Sequence, residues 1–300
     1  MVKSAWEKIL DPNYTFVIAE AGVNHNGDMK VAKRLVELSA QAGADAVKFQ
    51  SFKAERLVSA EAPKAEYQQK SGHPHESQFQ MLKRLELTQG EQKELYLYAQ
   101  KKGVLFLSTA FDAENVDFLD DLGVEIFKIP SGELTNLPLI EHIARKKKPL
   151  IVSTGMADMY EVAQAVQVIK KARNSRFVLL HCVSSYPAAP KDVNLKAMAT
   201  LRSRFKVPAG FSDHSLGTAL SIAAAALGAC VIEKHFTLDK TFPGPDHRVS
   251  LDPSGLKEMV RGIRDVQEAL GTGKKIPCAN EMNAAKVARK SILAACDIRA

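Results

Sequence analysis

A (β/α)8 barrel is the fold the sequence predicts, and three observations carry it. Eight short, nearly continuously apolar runs alternate with longer amphipathic ones, as parallel strands covered on both faces require. Together the eight repeats take up roughly 250 residues, the usual extent of such a barrel. No GxGxxG follows the first run, which disfavours the doubly wound open sheet that shares the pattern.

In chain order the runs are TFVIAEAG from Thr15, AVKFQS from Ala46, VLFLSTA from Val104 and IFKIPS from Ile126. PLIVSTG from Pro149, RFVLLHCVS from Arg176, VPAGFSDHS from Val207 and VIEKHFTL from Val231 complete the set. Helical stripes fill the intervals. Val31, Leu35, Leu38 and Ala42 form one, and Leu256, Met259, Val260, Ile263 and Leu270 form another. Gly43, Gly103, Gly123 and Gly271 fall just past helix ends, where a left-handed cap needs a residue without Cβ. Strand starts lie 22 to 31 residues apart, except that the second and third are 58 apart. The excess, about Phe52 to His75, contains Pro63, Gly72 and Pro74 and reads as a lid or substrate wall. The KAEYQ stretch from Lys64 to Gln68 lies within it.

Composition narrows the class. With 46% hydrophobic and 25% charged residues, the 300-residue chain can bury a core, and wholesale disorder is excluded. MVKSAWEKILDPNY has no apolar segment of a secretory signal, and the stretch Leu220 to Ile232 is too short to cross a bilayer. Cys182, Cys230, Cys278 and Cys296 are scattered without a CxxC, as in a reduced, cytoplasmic protein. A net charge of +7 suits an anionic ligand. The run Arg145-Lys146-Lys147-Lys148 sits where a helix should end and complements its dipole. No aromatic or helix–turn–helix signature accompanies it, so nucleic acid is not an expected partner, and neither is a membrane.

Barrel enzymes carry their chemistry at the carboxyl ends of the strands. Here those ends hold Glu20; Lys48 and Gln50; Thr109; Lys128 with Ser131 and Glu133; and Ser153. The later strands add Ser184 and Tyr186, then Ser212 and His214, then Glu233 and His235. Eight strands contributing polar groups at one end imply a shared polar site. His214 and His235 end neighbouring strands, and two imidazoles with room for oxygen ligands suit Mn²⁺, Fe²⁺, Co²⁺ or Zn²⁺ better than Mg²⁺. A structural or acid–base role for the pair stays open, because the spacing is not itself a metal motif. Lys48 and Lys128 lie in otherwise apolar strands, where an ammonium needs an anion. A phosphate cradle with hydroxyls at Thr109, Ser131, Ser153 and Ser212 is one answer. Internal pairing with Glu20, Glu133 or Glu233 is another, and a Schiff-base lysine is a third.

The segments IAEAGVNHNGD, ADAVKFQSF, FKIPSGELTNLPLIEHIA, IVSTGMA, LLHCVSSYP, GFSDHSLG, VIEKHFTLDKTFPGPDH and ARKSILA resemble the sialic acid (nonulosonate) synthases from about Thr15 onward. The resemblance implies condensation of phosphoenolpyruvate with an N-acetylhexosamine aldehyde, typically N-acetylmannosamine. The products would be a nine-carbon N-acetylneuraminate and phosphate. An N,N'-diacetyllegionaminate or pseudaminate synthase, using a diacetamido-trideoxyhexose, is the alternative. It further implies a homodimer and a divalent metal on His214 and His235, Mn²⁺ first, with Mg²⁺ or Co²⁺ as alternatives. Lys48, Thr109, Lys128, Ser131, Ser153, Ser184 and Ser212 would cradle phosphoenolpyruvate. Glu20, Gln50, Tyr186 and Asp246 would face the sugar, and Glu20 or Glu133 would handle the proton of the attacking water.

The sequence departs from the family pattern at two places. Ser184 stands where relatives often carry Asn. Residues 1–271 complete a barrel, and 272–300 correspond to a linker and the opening of a small antifreeze-like cap, whose arginine in relatives grips the partner's sugar. Weak sugar binding is the expectation for the chain alone. Rival readings are a shikimate-type phosphoenolpyruvate synthase, and a capless barrel retained as a sugar-binding module.

Overall fold

In the computed structural model, which describes residues 3–64, 68 and 76–297, eight parallel strands close into a barrel in sequence order. They are β1 (Phe16–Gly22), β2 (Ala46–Ser51), β3 (Leu105–Ala110), β4 (Phe127–Ile129), β5 (Leu150–Ser153), β6 (Phe177–Cys182), β7 (Ala209–Asp213) and β8 (Val231–His235). Each expected run contains its strand. β1 pairs with β2 on one side and β8 on the other, so Glu20 stands level with both Lys48 and His235.

Side chains alternate along a strand, and this sorts the barrel into two cores. Val17, Val47, Phe49, Phe106, Val152 and Ile232 point outward into the layer shared with the helices. Ile18, Ala46, Leu107, Ile126, Ile151, Val178, Leu180 and Val231 point inward and fill the lower barrel. Ile9, from the short helix Ala5–Leu10, joins that inner core. Further along seven of the eight strands the inward series becomes polar, the exception being β6, where Leu180 is followed by buried Cys182. The site is the continuation of the core.

The helices follow their caps. Asp28 accepts hydrogen bonds from Lys30 N and Val31 N to open the helix Met29–Ala42, and Gly43 closes it at φ +80°. Gly103 and Gly123 close theirs in the same left-handed conformation. Two details depart from expectation. The buried face of Met29–Ala42 is Ala32, Leu35, Val36 and Ser39, with Val31, Leu38 and Ala42 only partly covered at its flank. Small Ala32 and Ser39 let the helix approach the barrel closely, which turns the stripe by about one residue. In the helix Pro253–Leu270 the buried residues stop at Ile263, and Leu270 is 57% exposed. Gly271 follows at φ +54°, ψ −149°, outside the left-handed helical cap geometry.

The basic run pairs locally. Lys146 reaches Asp117 at 2.7 Å and Lys148 reaches Asp120 at 2.7 Å, just past the helix Leu137–Arg145. Asp45, before β2, ties the foot of the barrel together. Its carboxylate accepts from Tyr14 Oη (2.6 Å), Val17 N (2.9 Å), Lys8 Nζ (3.1 Å) and Arg264 Nη2 (2.9 Å). Asp45→Ala leaves Arg264 and the Tyr14 hydroxyl short of their acceptor. Because the Asp45 carboxylate is covered while Lys8 and Arg264 are partly exposed, a loss of about 2 kcal/mol in urea unfolding is expected, the scale of lost hydrogen bonds to a charged group. A loss below about 1 kcal/mol, the scale of a surface pair, would show the network to be redundant.

The expected lid is described only at its edges. Lys64 Nζ lies 3.4 Å from Glu76 Oε2, and Phe52, Met81, Leu85 and Val23 pack together beneath. Residues 65–67 of the KAEYQ stretch and 69–75 lie outside the described residues. Among the described residues, no helix is long and apolar enough to cross a membrane.

Candidate active site

Because every second residue faces inward, Glu20, Lys48, Thr109, Lys128, Ser153, Ser212 and Glu233 form a ring directly above the apolar plug. All seven are buried. Lys48 Nζ lies 2.6 Å from Glu20 Oε2, donates to Thr109 Oγ1 at 3.1 Å and stands 3.8 Å from Glu233 Oε2. Lys128 Nζ donates to Ser153 Oγ at 2.8 Å and lies 3.5 Å from Glu233 Oε1, which also accepts from Ser212 Oγ at 3.0 Å. Internal pairing of the lysines is therefore real. It does not exhaust their charge.

Burial pushes the Glu20 carboxyl up to about 7 against the pull of Lys48, and burial pushes Asp246 up to about 6. Glu233 is also penalised by burial, but Lys128 and Lys48 hold it down at about 2. Burial pulls Lys128 down as well, and Glu20 titrates near neutrality, so the two lysines are only partly balanced by the firmly ionised Glu233 and the ring accepts an anion.

Beside Lys128, the end of β5 opens a niche. Gly155 N donates to Ser131 Oγ at 2.9 Å. A Cβ at position 155 would lie 2.3 Å from Ser184 Oγ, 2.7 Å from Ser131 Oγ and 3.1 Å from Cys182 Sγ. Only glycine leaves those hydroxyls room. A second glycine does the same across the barrel. Gly22, at φ +51° where β1 shifts register, faces Glu20 Oε1, Gln50 Nε2 and His235 Cε1, which a Cβ would meet at 3.1, 3.5 and 3.5 Å.

His214 and His235 converge, with ring centres 5.6 Å apart, and the Tyr186 ring lies 4.2 Å from His214. His214 Nδ1 is 2.8 Å from the Val183 carbonyl, which orients the ring. His235 is held well below its ordinary value, first by burial and then by His214 and Lys48, so it is neutral. Its Nδ1 is buried without a hydrogen-bond partner among the described residues, and Asp246 Oδ2 is 3.9 Å away. Among the described residues, no three His, Cys, Asp or Glu side chains form a ready ligand set.

The structure thus brings together Glu20, Lys48, Gln50, Thr109, Lys128, Ser131, Ser153, Ser184, Ser212, His214, His235, Tyr186 and Asp246 at one end of the barrel. Glu133 stands apart from the ring. It is half-buried on the turn Ser131–Glu133, where its carboxylate accepts from Asn136 Nδ2 at 2.7 Å. Glu233, considered from sequence only as a partner for the lysines, proves central. The signal was available: it is two residues before His235 and two after Val231, so it shares their inward face.

Residues 35–275 match the NeuB family. An N,N'-diacetyllegionaminic acid synthase of Campylobacter jejuni is 52% identical over 95% of this chain and 86% of its own length. The human N-acetylneuraminate-9-phosphate synthase is 40% identical over 93% of this chain and 77% of its own. A crystal structure of the N-acetylneuraminic acid (sialic acid) synthetase from Leptospira borgpetersenii, in complex with citrate, superposes with a TM-score of 0.79. It shows 38% identity, covering 92% of each chain. With the barrel, the polar ring and these matches in place, the chain belongs to the NeuB family, whose synthases are phosphoenolpyruvate-condensing transferases.

Proposed function

We propose that the protein condenses phosphoenolpyruvate with a diacetamido-trideoxyhexose aldehyde, forming a legionaminic-type nine-carbon keto acid and releasing phosphate. The observation that carries the condensation is the ring of Lys48 and Lys128 above the barrel core, flanked by the Ser131–Gly155–Ser184 niche. The N-acetylmannosamine expected first from sequence gives way to the alternative, because the legionaminic acid synthase is the nearer of the two named relatives.

In this reading Lys48, Lys128, Thr109, Ser153 and Ser212 receive the substrate carboxylate and phosphate, with Ser131 and Ser184 completing the phosphate side. Gln50, Tyr186 and Asp246 face the acceptor. C3 of the enol attacks the aldehyde carbon, leaving positive charge at C2. Water adds at C2, and phosphate departs with cleavage of its C–O bond. Glu20, buried beside Lys48 with its pKa raised to about 7, takes the water's proton. Glu133, outside the ring, is the weaker candidate. His214 and His235 fit a divalent transition-metal ion better than Mg²⁺, since a neutral, unpartnered imidazole nitrogen is the donor such an ion needs; the family resemblance puts Mn²⁺ first, with Co²⁺ the alternative. When bound, the ion would polarise the aldehyde oxygen as a Lewis acid.

A homodimer is part of the same reading. Residues 272–297 contain one helix, Glu281–Ala288, and none of them is buried. Ile276 is 70%, Val287 89% and Leu293 83% exposed, an apolar surface suited to a second copy and to an antifreeze-like cap. The four cysteines are free, in keeping with a reducing, cytoplasmic setting.

The deciding experiment supplies phosphoenolpyruvate, Mn²⁺ and a panel of aldehydes, following phosphate release and identifying the keto acid by mass. The diacetamido-trideoxyhexose should exceed N-acetylmannosamine in kcat/KM by about tenfold or more, the scale set by one mismatched substituent. Preference for N-acetylmannosamine overturns the acceptor assignment, and absence of phosphate release with every aldehyde overturns the reaction.

A further inference from the structure

The motif GVNHNGD after β1 contributes no side chain to the ring, yet it is tied to the β8 loop at two points. Asn24 is buried. Its Nδ2 donates to the Phe236 carbonyl at 2.8 Å and to Ser250 Oγ at 2.9 Å, and Ser250 Oγ donates to the Asp246 carbonyl at 2.7 Å. Asn26 makes the second tie. Its Oδ1 lies 3.3 Å from His247 Nε2, while His247 Nδ1 is 2.6 Å from Thr237 Oγ1. The imidazole is fully buried and fixed between Asn26 and Thr237, whose hydroxyl also donates to the Asp239 carbonyl at 3.2 Å. Gly244 packs against this pair, where a Cβ would lie 2.6 Å from His247 Cδ2 and 2.9 Å from Asn26 Oδ1.

The two ties bracket one residue. The first ends on the backbone of Asp246, the second on the side chain of residue 247. Beside these adjacent anchor points the Asp246 carboxylate lies 3.9 Å from His235 Nδ1. We propose that Asn24, Asn26 and His247 are positioning residues that lock the β8 loop onto the β1 loop and thereby aim Asp246 at the acceptor. The inference rests on the reading of Asp246 as an acceptor-facing group. Without the latch the carboxylate is free to swing with its loop, and a displacement of about 1 Å near a reacting centre can lower turnover as much as a hundredfold.

The test uses Asn26→Gly, because Asn26 sits at φ +52° and glycine keeps that backbone while deleting the amide. The acceptor KM should rise about tenfold, with the phosphoenolpyruvate KM within about twofold. Combining it with Asp246→Asn should add nothing further to the loss caused by Asp246→Asn alone, because a positioning residue has nothing left to position. Asn26→Asp, which retains the accepting oxygen, should restore the acceptor KM. Crystal structures of wild type and Asn26→Gly give a readout independent of turnover, with Asp246 displaced from His235 in the variant. Additive effects in the double variant, or both KM values rising together, overturn the latch, as does an unmoved Asp246. A wild type inactive with every aldehyde overturns the proposed function instead, and the displacement of Asp246 still decides the latch.

Discussion

His235→Ala is expected to reduce phosphate release by at least about a thousandfold, and saturating Mn²⁺ should not recover it. Lewis-acid stabilisation contributes several kcal/mol, and about 4 kcal/mol corresponds to that factor. His235 stands at the top of β8, level with Glu20 on β1, and its Nδ1 has no hydrogen bond to lose. The substitution therefore removes a donor nitrogen without stranding a protein partner, and thermal stability should change little. Metal affinity, measured by titration of the apo protein with Mn²⁺, should fall in parallel. Undiminished turnover at saturating Mn²⁺ would remove the metal role and return the two histidines to acid–base or structural duty.

Lys128→Met carries the second large effect. Methionine fills nearly the same volume in the packed barrel, so the change is chiefly electrostatic. The variant loses the hydrogen bond to Ser153 Oγ, and Glu233 keeps only Ser212 at 3.0 Å and the more distant Lys48 at 3.8 Å. One ammonium would then face one ionised carboxylate, and the ring no longer favours an anion. Truncating a desolvated charge partner costs about 2–5 kcal/mol. A fall of roughly 10²- to 10³-fold in kcat/KM for phosphoenolpyruvate follows, with the acceptor KM nearly unchanged. Lys128→Arg should rescue only in part, because a planar guanidinium replaces a compact point charge beside Ser153. A phosphoenolpyruvate KM within a few-fold of wild type would place the substrate elsewhere in the barrel.

The strands were legible because a parallel barrel strand has little choice of composition. Both faces are covered, so AVKFQS or VLFLSTA reads as a strand without knowledge of its neighbours. Helix ends were legible where glycine follows, at Gly43, Gly103 and Gly123, because left-handed backbone needs it. Leu270 misled, since helical periodicity continues in sequence after the wall it would pack against has ended.

Among the site residues, chemical type and strand position marked Lys48, Lys128, His214 and His235 before any coordinates. The sequence could not separate Glu20 from Glu133. Both are carboxylates near strand ends, but one faces the ring and the other turns to Asn136 on the rim. Nor could it show why GVNHNGD and GPDH belong together, since Asn26 and His247 are 221 positions apart and meet only when β1 and β8 close the ring. The sequence by itself determined the barrel and the end at which its polar and charged residues gather, because alternation and composition are local properties. Which carboxylate lies under the ammoniums, how far each charge is screened from water and which loop aims Asp246 were decided by the tertiary structure. Burial and distance exist only after residues remote in the chain have been brought together.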